Sequence, residues 1–250
     1  MTNPLTALLR QGGSAIGSWC VTPSTLTAEL LTTDAVDYVC FDCQHGLVDS
    51  STLAALLAAV RPEVAPIVRV PGNDGAAIGK ALDLGAAGVI IPMVGSAEEA
   101  ERAVAACRYA PRGTRSYGPA RAGLVLGADP GELQAYALCF VMIETPAAVA
   151  RADEICAVPG LDGVYVGPAD MAVGLGIRPA DIEGSAEHAA AVATVREACD
   201  RAGIFPGIHT SGGADARKRL AEGFRLASLP TDAVLLRSAL QRELASARPG

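Results

Sequence analysis

The stretch Asp37–Asp49, DYVCFDCQHGLVD, sets an apolar run from Tyr38 to Phe41 against an abrupt polar edge of Asp42, Gln44, His45 and Gly46. A short run that is apolar on both faces reads as a strand buried on two sides, as in a parallel sheet covered by helices. The chain has three histidines, and one of them stands three residues beyond the aspartate at which this strand stops. Whether His45 is a packed structural histidine or a base at the mouth of a barrel depends on what the rest of the chain builds.

Seven further runs have the same character: IGSWCV, PIVRV, AGVIIP, LCFVMI, DGVYVG, IFPGIH and FRLASL. Most are rich in Val and Ile and bounded by Gly, Pro or Asp. Between them lie Ala/Leu-rich stretches with helix signals. One begins at Ser50, with Ser50 or Ser51 as the expected cap of TLAALLAAV. A second starts at Ser96 and carries acids in its first turn, where the helix dipole favours them. A third, SAEHAAAVATVREACDRAG, closes at Gly203. Eight strands alternating with helices in 250 residues predict an α/β chain folded as one (β/α)8 TIM barrel, a single domain over residues 1–250. A doubly wound sheet is the alternative, but its usual Gly-rich turn is missing after the first strand. The segment Tyr109–Glu132 reads as an unusually long loop, which in a compact domain suggests function or mobility.

The net charge of −7 argues against a nucleic-acid partner, since phosphate binding needs a basic face. No apolar run reaches membrane-spanning length, and the N-terminus lacks the basic start and apolar core of a secretory signal; the sequence predicts a cytoplasmic protein. Cys40 and Cys43 form a C-x-x-C among seven scattered cysteines. Cys40 lies inside a strand and no second pair is near, so the expected role is packing rather than redox chemistry or zinc.

In a parallel barrel the active site forms at the C-terminal ends of the strands. Those ends collect Asp42 and His45, Arg69, Glu144, the turn Gly167, Pro168, Ala169 and Asp170, and His209. Glu144 and Asp170 on neighbouring strands would repel unless something positive lies between them; a divalent cation with oxygen preference would serve. Pairing with arginines, or capping of the next helix, is the plainer alternative. Arg69 inside an apolar run is costly unless its charge is used, either in a salt bridge or on an anionic ligand. Spacing alone gives Asp83, just before the fourth strand, a helix-end or packing role.

The ordered set GSWCVTPSTLTAELL, DYVCFDCQHG, PIVRVPGND, KALDLGAAGVIIPMVGSAEEAE, PRGTRS, VMIETPAAV, LDGVYVGPADMAVGLG and GFRLASLPTDAVLL resembles the metal-dependent (class II) pyruvate aldolases of the HpcH/HpaI group, over nearly the whole chain. The resemblance implies metal ligands at Glu144 and Asp170, an enolate-stabilising arginine at Arg69, and an acid/base histidine at His45. It makes Asp42 and Asp83 the carboxylates that orient or polarise that histidine, and Gly167–Asp170 the substrate-carboxylate turn. It implies Mg²⁺ or Mn²⁺, with Co²⁺ as a further option, pyruvate or oxaloacetate and an aldehyde as substrates, and a homo-oligomer, a hexamer. Val234, Leu235, Ala239 and Leu240 would form the interface stripe. The family usually has Glu where this chain has Gln44; an amide can hold a water or a substrate hydroxyl but cannot share a proton as a carboxylate does.

The chemistry so implied is an aldol reaction. Pyruvate loses a methyl proton, the enolate attacks an aldehyde, and a 4-hydroxy-2-oxo acid forms or, in reverse, is cleaved. A lysine Schiff base is the rival route, but Lys80 and Lys218, the two lysines, both lie in helical patterns away from strand ends. A citrate-lyase-like or malyl-CoA-lyase-like enzyme and a catalytically idle barrel that binds a 2-oxo acid remain as alternatives.

Overall fold

The computed structural model describes residues 2–33 and 35–248. All eight runs become strands: β1 (Ala15–Cys20), β2 (Tyr38–Asp42), β3 (Ala65–Arg69), β4 (Gly88–Ile91), β5 (Leu138–Ile143), β6 (Gly163–Val166), β7 (Phe205–His209) and β8 (Leu226–Thr231). They pair in parallel and in sequence order, and β1 also pairs with β8, so the sheet closes into a (β/α)8 barrel. The doubly wound alternative is thereby excluded.

Successive strand side chains point to opposite faces, and here that alternation sorts two cores. Tyr38 and Cys40, Ile67, Phe140 and Met142, Tyr165 and Leu226 fill the lumen. The residues between them, such as Val39, Phe41, Val68, Val141 and Val164, pack outward against the helices. The lumen is a packed core, as barrels of this size require. Tyr38 and Tyr165 meet across it with their hydroxyls 3.0 Å apart, and Tyr165 donates to Ile208 O at 3.1 Å. Gly17 makes room for them: a Cβ there would lie 2.1 Å from Cζ of Tyr38. The helix Pro4–Arg10 closes the lower end, with Leu5 and Leu9 joining the lumen cluster and Asn3 Nδ2 donating to Ala87 O and Tyr136 O.

The helix signals hold with two corrections. Ser96 caps Ala97–Cys107, and Ser185 and a left-handed Gly203 (φ 69°) bracket Ala186–Ala202. The helix Ser50–Ala59 is capped not by Ser50 or Ser51 but by Asp49, whose carboxylate accepts from Ser51 and Thr52 N–H while Thr52 closes a capping box; a carboxylate accepts two amides at once. Tyr109–Glu132 is not one loop either. It contains the helix Ala120–Val125 and the start of Pro130–Tyr136, whose signal is Asp129 as N-cap, Pro130 in the first turn and Glu132 behind it.

Candidate active site

The inward parity that fills the lumen continues to its upper rim. Trp19, Asp42, Arg69, Glu144, His209 and Ser228 extend the inward rows of β1, β2, β3, β5, β7 and β8. The C-terminal strand ends therefore deliver a cluster of polar side chains to one mouth.

Asp42 is buried and saturated. Its carboxylate accepts from Arg69 Nε at 2.9 Å and Nη2 at 2.5 Å, from Trp19 Nε1 at 3.2 Å, and from the backbone N–H groups of Gln44 and His45 at 3.0 and 3.2 Å. Burial alone would raise its pKa; the hydrogen bonds and charge of Arg69 outweigh that and hold it below the usual carboxylate range. The fork grips Arg69 from one side, and Nη1 has no protein acceptor among the described residues. The guanidinium also lies 5.1 Å from the Trp19 ring centroid. The plain salt-bridge reading of Arg69 is thus half right: the bridge exists, and it leaves a fixed donor over.

His45 follows on an exposed turn, and its ring makes no hydrogen bond among the described residues. Asp42 orients it through its backbone amide and not through the imidazole. Gln44 Oε1 is buried with no partner. Cys40 and Cys43 are not a reactive pair: burial pushes the Cys40 thiol well up and the Cys43 thiol to about 12, and both are free.

Glu144 is buried, and burial, with the nearby Asp170 carboxylate adding to it, raises its pKa. One oxygen accepts from Met93 N–H at 2.7 Å. Met93 reaches it in a left-handed conformation (φ 58°), which costs a non-glycine residue about 1–3 kcal/mol. Gly167 leaves room for the other oxygen: a Cβ there would lie 2.4 Å from Glu144 Oε2 and would displace the carboxylate. Pro168 then opens the short helix Pro168–Gly174, and the N–H groups of Ala169 and Asp170 have no acceptor among the described residues. The Pro168 carbonyl is held by Nε2 of His188, fully buried on the helix Ala186–Ala202, at 2.9 Å.

Two facing carboxylates, one of them deeply buried, fit a hard divalent cation: the pair supplies oxygen donors, and charge neutralisation would relieve the repulsion that burial aggravates. Among the described residues no cluster of three or more metal-binding side chains exists. A cation at Glu144 and Asp170 would therefore keep positions for water and substrate.

Asp83 takes the helix-end place that its spacing gives it and not, within its own chain, the place beside His45 that the resemblance implies. It is the last residue of the helix Gly75–Asp83, which runs down from β3 to the start of β4, and it pairs with Arg115 at 2.7 Å. It lies at the opposite end of the barrel from His45 and cannot polarise the histidine of its own chain. Sequence reasoning also passed over Trp19, Met93 and His188. Parity along β1 could have found Trp19. Met93 acts through its backbone and His188 through a contact twenty residues away, and neither leaves a local signal. A shallow cleft lined by Pro146, Val149, Asp153 and Leu175 lies away from this mouth; its one ionisable group, Asp153, is already paired with Arg201.

A family model described as HpcH/HpaI aldolase/citrate lyase matches residues 16–239. A hydroxypyruvate/pyruvate aldolase of Rhizorhabdus wittichii is 39% identical over 98% of this chain and 99% of its own. A 5-keto-4-deoxy-D-glucarate aldolase of Salmonella paratyphi A is 33% identical over 96% and 94%. The crystal structure of a HpcH/HpaI aldolase/citrate lyase family protein from Burkholderia cenocepacia superposes with a TM-score of 0.92 at 30% identity, covering 99% of this chain and 100% of that one.

Proposed function

Because the chain belongs to the HpcH/HpaI aldolase/citrate lyase family, we propose that it is a metal-dependent aldolase that joins a pyruvate-type 2-oxo acid to an aldehyde, or cleaves the resulting 4-hydroxy-2-oxo acid. The observation that carries this reading is the buried Glu144 beside Asp170, facing the same mouth as the clamped Arg69. Pyruvate, hydroxypyruvate and oxaloacetate are the donors in view. The relatives described above are named aldolases, and the CoA-lyase-like and idle-barrel alternatives are not favoured.

Glu144 and Asp170 would hold Mg²⁺ or Mn²⁺, with Co²⁺ as a substitute. When bound, such an ion acts as a Lewis acid that makes the donor's third-carbon protons more acidic. The free N–H groups of Ala169 and Asp170 receive the donor carboxylate. Arg69 Nη1 faces the carbonyl oxygen, where negative charge develops; its clamping by Asp42 means that little reorganisation is needed as the charge forms. His45 takes the proton from the third carbon, and the C–H electron pair moves into the enolate. That carbon attacks the aldehyde carbon, and the new alkoxide collects a proton. Gln44 positions a water or the aldehyde hydroxyl.

The test is exchange of pyruvate methyl protons into D₂O. Exchange should need Mg²⁺ or Mn²⁺ and fall sharply in His45→Ala. Full exchange after exhaustive EDTA treatment would sink the metal reading; wild-type exchange in His45→Ala would move the base elsewhere.

The same reading includes a homo-oligomer, a hexamer. The C-terminal helix Asp232–Ala247 supports it: Val234, Leu235, Leu236, Leu240 and Leu244 are exposed, and Asp232 is the one buried residue of that helix. Asp83 could serve a histidine only across such a contact. Sedimentation giving a fully active monomer would rule assembly out as a requirement. The proposed location is the cytoplasm, supported by seven unpaired cysteines; no helix among the described residues is long and apolar enough to cross a membrane.

A further inference from the structure

His209 is polar, inward-facing and unused by the chemistry above. It ends β7, and its register partner on β8 is Ser228, whose hydroxyl lies 2.7 Å from Nδ1. The imidazole meets the Trp19 ring edge-on, with centroids 4.9 Å apart and planes at 71°. One nitrogen is thus tied to β8 and the ring is braced on β1. The other nitrogen, Nε2, has no protein partner among the described residues. Burial, and then the charge of Arg69, push the imidazole down to about 4, against the opposing pull of Asp42 and Asp215. Near neutral pH the ring therefore offers a hydrogen bond and not a charge.

Its place decides what it can touch. In an eight-strand ring β7 faces β3, so His209 and Arg69 look at each other across the mouth. A donor held at Glu144 and Asp170 with its carbonyl oxygen toward Arg69 would present its third carbon to the interior of that mouth. His209 is a strand residue at the depth of Arg69, whereas His45 stands on the exposed rim. The aldehyde enters from the rim; the group within reach of a lumen side chain is a substituent on the donor. Pyruvate offers nothing there for Nε2 to bond.

We propose that His209 is a specificity-determining residue whose Nε2 hydrogen-bonds a hydroxyl on the third carbon of the donor, favouring hydroxypyruvate over pyruvate. Ser228 is its positioning partner, fixing the ring and the tautomer. The inference rests on the donor-binding reading given above.

The experiment measures third-carbon proton exchange into D₂O for pyruvate and for hydroxypyruvate, above the enzyme-free background, with Mg²⁺. It uses the wild type, His209→Leu, His209→Gln and Ser228→Ala, with circular dichroism to check the fold. The readout is the ratio of kcat/KM for the two donors. It should shift away from hydroxypyruvate by about five- to tenfold in His209→Leu, the range of one neutral hydrogen bond. It should recover in part in His209→Gln and shift less in Ser228→Ala. A ratio within twofold of wild type in a folded His209→Leu overturns the proposal. Should that variant not fold, an unmoved ratio in both Ser228→Ala and His209→Gln overturns it equally. A wild type that exchanges neither donor defeats the donor-binding reading itself, which distinguishes the two failures.

Discussion

Two arginine–aspartate pairs stand at opposite ends of this barrel. At the upper end Arg69 meets Asp42 at 2.5 Å; at the lower end Arg115 meets Asp83 at 2.7 Å. Their surroundings differ. Asp42 accepts from five donors on two strand ends and its own following turn, so the arginine it holds has one position. Asp83 is partly exposed and accepts from Arg115 alone, while Arg115 lies 4.6 Å from the Tyr109 ring centroid with its Nε buried and unpartnered. The same two residue types therefore make a preorganised donor where strands end and a spare, under-satisfied pair where helices end. What separates them is the direction of the chain through the barrel.

The largest expected contrast comes from the upper end. Glu144→Ala should lower aldol turnover by more than about a thousandfold, because on the proposed reading cation and donor would lose their holder together. Glu144→Gln should lose activity as well, yet raise the thermal midpoint of the metal-free protein. Burial beside Asp170 makes the ionised carboxylate a cost to folding, and the neutral amide removes it. Added Mg²⁺ should raise the midpoint of the wild type and leave that of Glu144→Gln unmoved; equal shifts in both would place the ion elsewhere.

Breaking each ion pair compares the ends directly. Asp42→Asn leaves a buried guanidinium without its counter-charge and should destabilise by about 3–5 kcal/mol in urea titration. Asp83→Asn, at a carboxylate open to solvent screening, should cost about 1 kcal/mol or less. If Asp83→Asn instead spares stability and lowers the turnover of the assembled protein, the lower pair serves a neighbouring subunit's site.

Arg69→Lys keeps the charge and loses the planar fork, so kcat/KM should fall by at least about tenfold with metal affinity little changed. Arg115→Lys should leave the rate of a single active site nearly as it was. A wild-type rate in Arg69→Lys would remove that residue from the chemistry.

The last contrast is in pH. The His209 imidazole titrates at about 4 in the folded chain against an ordinary 6.5. Between those values the unfolded chain binds the proton and the folded one refuses it, so stability falls as pH drops from 6.5 toward 4. Asp42 acts lower: its folded pKa is depressed, so its contribution is present above the unfolded carboxylate value, about 3.9, and is lost as pH falls below that. Urea midpoints against pH should show the upper limb flattened in His209→Leu and the lower limb retained.

Local chemistry in the sequence determined the barrel. Each strand announces itself because a strand covered on both faces must be apolar throughout, and Ser96, Ser185 and Gly203 mark helix ends because capping is a contact within one turn. Within Tyr109–Glu132 the helix Pro130–Tyr136 carries a local signal, Asp129–Pro130 before Glu132, whereas Ala120–Val125 has no side-chain cap to mark its start. Site membership was legible as a set of polar residues at strand ends, and the family resemblance added roles to them. Tertiary structure alone decided how those residues meet. It turned Asp42 toward Arg69 and the backbone of His45 rather than the imidazole, and it set Met93 N–H against Glu144. It brought His188 under Pro168, paired His209 with Ser228, and sent Asp83 to the far end. These contacts join residues that are distant in sequence or pass through backbone atoms that every residue shares, so only closure of the barrel brings them together.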